Sequence, residues 1–132
     1  MNDGLKFEDI SFDVFREYLK VKKDELKWFL WHLNNTSIEF KYQHIIQVDK
    51  IVGVVCFVKD INTLVDIYID QSFRRNNIGS KSIKLIKHKN SNENLMFKVN
   101  KLNNVSLHFF DDLITKKVLV QKKFEGSFYL YK

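Results

Sequence analysis

The residues with the clearest chemical promise lie between Leu64 and Ile83. Arg74 and Arg75 precede Asn76, Asn77, Ile78 and Gly79, and Ser80 and Lys81 follow where an apolar-periodic run begins. A helix start leaves its first N–H groups without intrahelical partners and carries the positive end of the helix dipole, so it attracts phosphate. Glycine lets the backbone approach an anion, and asparagine tolerates the left-handed conformation next best. Two guanidiniums, a hydroxyl and an ammonium at the same point add donors. The chemistry on offer is the grip of a phosphate. The alternative is a helix start with incidental arginines, and residue types alone leave the two open. Neither the Gly-x-x-x-x-Gly-Lys-Ser/Thr loop nor the Gly-x-Gly-x-x-Gly fingerprint occurs. His32, His44 and His88 have no ligand spacing, so no metal is expected. Cys56 falls in an apolar run and reads as a core thiol, not a nucleophile.

The elements that must position these residues follow from periodicity. Leu5–Ile10 reads as a weak first strand. Ser11 caps a helix carrying Phe12, Phe15, Tyr18 and Leu19, and Asp24 caps a second with Leu26, Phe29, Leu30 and Leu33 beside Trp28 and Trp31. Either tryptophan could face a substrate, although an aromatic stripe at helical spacing is usually core. Asn34 to Ser37 reads as a loop. Strands His44–Val48 and Ile51–Val58 are expected to meet in a hairpin through Asp49-Lys50, with Gly53 marking a bulge or a close approach. In the next strand, Leu64–Asp70, alternation points Val65, Ile67 and Ile69 one way and Leu64, Asp66, Tyr68 and Asp70 the other. A helix to about Lys89 has the stripe Ile78, Leu85 and Ile86, with Ile83 at its edge. After the polar loop Asn90–Asn94, a strand over Leu95–Val99 completes a parallel crossover. Asn103 caps a helix to about Leu113 that presents Val105, Phe109 and Leu113. Strands Val118–Lys122 and Ser127–Tyr131 close the chain around Glu125-Gly126. This is a mixed α/β chain with antiparallel hairpins at both ends and one parallel crossover between them.

Length and composition bound the function. With 132 residues, 45% of them hydrophobic and 29% charged, the chain is expected to form one folded domain over 1–132. A single cysteine and the lack of a signal peptide point to the cytoplasm, and no apolar run approaches the roughly 20 residues of a membrane helix. A net charge of +6 admits a phosphate-bearing partner without choosing one.

The stretch Leu64–Ile83 resembles the cofactor motif of the GNAT superfamily, the acetyl-CoA-dependent N-acetyltransferases. That family carries Gln/Arg-x-x-Gly-x-Gly/Ala directly after its fourth strand, matched here by Arg74 to Gly79, with Asn77 in place of the first glycine. Asn103 to Phe110 is similar to the family's Asn-x-x-Ala-x-x-x-Tyr helix, with Ser106 at the small position and Phe110 where the tyrosine stands. The resemblance implies a mixed, mostly antiparallel (α+β) sheet with helices on both faces. It implies acetyl-CoA as acyl donor, in a wedge where the fourth and fifth strands splay. The pyrophosphate would lie on Arg74, Arg75, Asn76, Asn77, Ile78, Gly79, Ser80 and Lys81. The pantetheine arm would pair with the backbone of Ile67 and Ile69 and with Asn103, beside Phe110. Asp66, at a position often acidic in the family, is the expected base, with Tyr68 on the same side of the strand about 6–7 Å further on. Tyr68, His108, Tyr129 or Tyr131 could supply the proton that the missing tyrosine would otherwise give.

A non-catalytic acyl-CoA-binding or protein-interaction domain of the same fold is the alternative, motivated by Asn77 and Phe110. A nucleic-acid partner is weakly supported, because the aromatics follow core periodicity where stacking platforms need them exposed. Asp66, Asp70 and Asp111 suggest a basic amine acceptor. The exposed last strands could pair two copies.

Overall fold

The computed structural model describes residues 4–21, 39–59, 63–70, 72–73, 77–92 and 94–132. Its elements are β1 (Leu5–Ile10), α1 (Phe12–Val21), β2 (Glu39–Gln47), β3 (Lys50–Lys59), β4 (Thr63–Ile69), α2 (Ile78–Lys89), β5 (Leu95–Asn100), α3 (Asn104–Thr115), β6 (Lys122–Glu125) and β7 (Phe128–Tyr131). The expected helix after Asp24, with Trp28 and Trp31, and the loop Asn34 to Ser37 lie outside the described residues.

The strands form one sheet in the order β1-β2-β3-β4-β5-β7-β6. Only β4 and β5 run parallel; the other neighbours are antiparallel. The interior strand β3 buries every residue from Val52 to Val58, as its unbroken apolar run requires. Its odd positions, Val55 and Phe57, join Ile78, Ile83 and Ile86 of α2 and Phe110 and Leu113 of α3 in one core. Its even positions, Val54, Cys56 and Val58, face Phe15 of α1 on the other side, with Tyr42 and Tyr68. Helices therefore cover both faces. Burying a side chain such as Phe15 contributes about 2–3 kcal/mol. No described helix is long and apolar enough to cross a membrane.

The local rules work at α1. Ser11 Oγ accepts from Val14 N at 3.2 Å, and Asp13 sits in the first turn. They work at Gly53 too. The register slips between Ile45 and Ile46, leaving Val52 as an extra residue. A Cβ on Gly53 would meet the Tyr68 carbonyl oxygen at 2.2 Å, so only glycine admits β4 this closely.

Four expectations shift. The hairpin turns on Val48-Asp49, with Gln47 opposite Lys50, one residue earlier than Asp49-Lys50. Both turn residues have positive φ, 48° and 67°, the pattern that matches the twist of the strands. The strand expected at Val118–Lys122 begins only at Lys122, because α3 ends in a turn with Lys117 at φ 61° and residues 118–121 carry the chain back to the sheet. In α2, Ile83 is fully buried and Leu85 only half-buried, since the helix also seats Gly79 and Ser82 inward. In α3, Val105 is 65% exposed and Phe110 takes the core position.

Candidate active site

The sheet opens at one place. Pairing of β4 with β5 covers Thr63–Leu95, Leu64–Met96 and Val65–Phe97, and then stops, although both strands continue. Thr63 N donates to Asn94 O at 3.1 Å, and Asp70 N donates to Val52 O at 2.7 Å. By strand alternation, odd residues of β4 turn their backbone groups toward β5 and even ones toward β3. Ile67 N–H is thus the first donor beyond the end of the ladder, and Ile69 follows on the same edge. The side chains of both pack into the core of α2 and α3, so only their backbone addresses the opening.

Beside that opening α2 begins. Asn77 caps it in the left-handed region, φ 59° and ψ 16°, without a side-chain cap bond, and accepts from Lys81 N at 3.0 Å. The first turn holds no acidic residue. Ile78 and Gly79 are buried, so what they can offer an anion is their N–H groups; Ser80 and Lys81 are half-buried. A Cβ on Gly79 would come within 2.9 Å of the Phe109 ring. The glycine therefore lets α2 lie against α3. Arg74, Arg75 and Asn76 lie outside the described residues.

The start of α3 borders the same region. Asn103 caps it, with Oδ1 accepting from Ser106 N at 3.3 Å. Phe110 is 4% exposed, in contact with Phe97, Phe109 and Tyr131 at ring separations of 5.6, 5.0 and 5.1 Å. An apolar ring suits this enclosure, where a hydroxyl would need a partner.

Asp66 is half-buried on the α1 face of β4, opposite Cys56. Burial pushes the Cys56 thiol well up, and the Asp66 carboxylate pushes it further, so this sulfur stays protonated. Tyr68 is 6% exposed and meets Tyr18 edge-on at 6.4 Å. Tyr18 in turn lies 5.8 Å from the ring of His44, whose pKa burial lowers against the opposing charge of Glu8.

Two carboxylates expected at the acceptor side are engaged elsewhere. Asp70 Oδ1 accepts from Ser72 N and Oγ at 3.3 and 3.1 Å, pinning the turn after β4. Asp111 Oδ1 accepts from Tyr131 Oη at 2.6 Å and pairs with Lys122 Nζ at 2.8 Å. Burial raises the Asp111 pKa, but the hydrogen bonds from Lys122 and Tyr131, with the charges of Lys122 and His108, outweigh it, and the net shift is downward. Tyr131 is fully buried, and burial and the Asp111 carboxylate both raise its pKa. It is poorly set to release a proton near neutrality. Tyr129 is half-buried under Lys122 Nζ, 4.6 Å from its ring, while His108 is exposed. Among the described residues no three His, Cys, Asp or Glu side chains converge as metal ligands would.

Periodicity missed Lys98. Its backbone stands on β5 next to the opening, but its Nζ lies 4.3 Å from the centroid of Phe128 on β7, the neighbour on the side away from β4. Its outward alternation was the available signal; its neighbours depend on a register that the sequence does not state.

Comparison with known proteins agrees with this architecture. None of the curated proteins matches the chain. Among solved structures, Campylobacter jejuni N-acetyltransferase PseH shares 20% identity at a TM-score of 0.61, over 98% of this chain and 97% of that one. The same enzyme in complex with acetyl coenzyme A gives 19%, 0.53, and 97% of each chain. A chimera of Vibrio cholerae spermidine N-acetyltransferase SpeG and hSSAT gives 13%, 0.61, and 97% and 94%. At these identities the likeness speaks for the fold. The family model described as the Acetyltransferase (GNAT) family matches residues 6–113, most of the chain. That match spans the interrupted β4–β5 ladder and the starts of α2 and α3, and this chain belongs to the GNAT acetyltransferases.

Proposed function

We propose that this protein moves the acetyl group of acetyl-CoA to a primary amine by direct attack on the thioester. The observation that carries the reading is the early end of the β4–β5 ladder after Val65 and Phe97. The gap offers a backbone edge at Ile67 and Ile69 for the amides of a pantetheine arm, with Asn103 across it and Phe110 beside it. The N–H groups from Asn77 to Ser80 serve the pyrophosphate, with Arg74, Arg75, Asn76 and Lys81 supplying further donors and charge.

Acetyl-CoA supplies an acyl carbon bound to a leaving thiolate. An ammonium has a pKa near ~10.4, so the acceptor must first lose a proton. Asp66 accepts it, directly or through a water, and Tyr68 is the second polar group on that strand face. The amine lone pair then forms the N–C bond while the C–S bond breaks, and its electron pair leaves on sulfur. A β4 backbone N–H, with Ile67 nearest the opening, steadies the carbonyl oxygen as charge develops. The acylated nitrogen sheds its extra proton and the thiolate takes one up, so the products are the neutral amide and CoA. A thiol pKa near ~8.5 makes it a tolerable leaving group without a dedicated acid. A cytoplasmic setting belongs to the proposal and fits a lone, buried cysteine.

Calorimetric titration with acetyl-CoA, with CoA and a nucleic-acid oligomer as comparisons, tests the donor site. Release of CoA in the presence of amines tests the reaction. Micromolar binding together with amine-dependent release is the expected result; no binding at millimolar acetyl-CoA overturns it. A second reading, an acyl-CoA-binding domain without turnover, is favoured by the aromatic enclosure of Phe110. It predicts the binding without the release.

A further inference from the structure

The outer edge of β6 carries a defined pattern of backbone and charge. Among the described residues β6 closes one end of the sheet and pairs with β7 alone, and all four of its residues are exposed. Gln121 and Lys132 exchange both backbone bonds, each at 3.0 Å. In an antiparallel ladder such pairs recur at every second residue. Lys123 and Glu125 therefore turn their backbone groups to β7, while those of Lys122 and Phe124 face outward. Val120 N also donates to Lys132 O, at 2.7 Å, so a bulge ends the regular edge on that side.

Alternation sorts the side chains as well. Phe124 lies on the α3 face, 52% exposed, with its ring 5.0 Å from that of Tyr129. Lys123 and Glu125 stand on the other face and pair at 3.0 Å. Lys122 is held by Asp111 at 2.8 Å.

An exposed edge invites another strand, and the order of residues says which. A two-fold axis at Phe124 hydrogen-bonds this residue to its own copy and lays ring beside ring. It sets Lys123 opposite Glu125 of the second copy, and Glu125 opposite Lys123. Four charges then alternate in sign around the axis. An axis at Lys123 sets that ammonium against itself, and one at Glu125 sets carboxylate against carboxylate; both cost stability. An axis between two residues faces outward backbone groups with inward ones and forms no ladder.

We propose that β6 is a dimer interface, pairing antiparallel with β6 of a second copy about Phe124. Such a contact is isologous and closed, whereas β6 laid on β1, at the other end of the sheet, builds an open chain of copies. The proposal is independent of acetyl transfer.

Sedimentation equilibrium from micromolar to millimolar protein tests it. The expected mass rises from the 15.8 kDa of one chain toward twice that value and stops there. Lys123→Glu and Glu125→Lys each set like charges opposite one another, and each raises the dimer Kd by about tenfold or more. Mixing the two variants in equal amounts restores the dimer, since two acids then oppose two bases. Lys123→Glu and Glu125→Lys combined in one chain restore it too. A mass that stays at one chain up to millimolar protein overturns the proposal, and so does one that climbs past two chains. A dimer indifferent to both single variants, or one that neither mixing nor the combined variant restores, also overturns it, because the contact then lies elsewhere.

Discussion

Asp66 is the residue on which the proposed chemistry turns, and its role separates from its fold. It is half-buried on β4, away from the backbone edge that faces the opening. Asp66→Asn keeps shape and removes the base. The expected outcome is a loss of about 10²-fold or more in kcat near pH 7, with acetyl-CoA affinity within twofold of the parent. Steady-state CoA release and calorimetry measure the two sides. Legibility was uneven at this scale. Asn103 as a cap and Gly53 as a close approach could be read from residue type, because each answers a local backbone need. The partners of Asp70 and Asp111 could not. Tyr131 and Lys122 reach Asp111 across a turn and a strand pairing that no local rule specifies.

Among the elements, the β2–β3 hairpin carries a conflict that can be relieved. Val48 is β-branched, 74% exposed, and sits at φ 48°. A left-handed conformation is costly for such a side chain and mild for asparagine. Val48→Asn should stabilise the protein by about 1 kcal/mol, read as a higher urea midpoint at unchanged slope. The same misfit explains why sequence reasoning moved the turn to Asp49-Lys50, since valine is a poor turn signal. The later strand was misjudged for a related reason. Val118 to Val120 form a short β-branched, apolar run like a strand's, but Val118 and Leu119 donate back to Leu113 O and close the end of α3.

The C-terminal hairpin is tied to α3 by the bond from Tyr131 to Asp111, and this tie is sensitive to pH at both ends. The Asp111 carboxyl titrates lower in the folded chain than unfolded, so its contribution is complete above about pH 5 and fades as acid passes the lowered value. Tyr131 titrates higher when folded. Above about pH 10 the unfolded chain ionises this phenol first, so its contribution fades as pH rises. Tyr131→Phe should cost about 1 kcal/mol at neutral pH and flatten the alkaline decline in Tm. A Tyr131→Phe protein that follows the parent curve at both extremes would count against the tie.

For the molecule as a whole, the mixed sheet with one parallel crossover was legible from the alternation of elements and the two-sided helix cover from the family resemblance, whereas the place of β7 between β5 and β6 was not, because it depends on long-range pairing. A ligand that bridges β4, α2 and α3 should then act on global stability. Acetyl-CoA at about 100 times its Kd stabilises the folded state by about 2.7 kcal/mol. For a domain of this size that is a Tm rise on the order of 10 °C, measurable by scanning calorimetry. CoA should give a similar rise and free adenosine little.

The broken ladder also bears on how water samples the interior. An amide at the centre of a seven-stranded sheet is ordinarily among the last to exchange its hydrogen for deuterium. Ile67 N–H, pointing at an opening instead of a neighbouring strand, should lose its proton at the pace of a surface loop. The amides of Tyr68 and Asp66, one residue on and one back, turn to β3 and should be held for far longer. The middle of this sheet would thus alternate between fast and slow clocks along a single strand, and a bound pantetheine arm would bring the two into step.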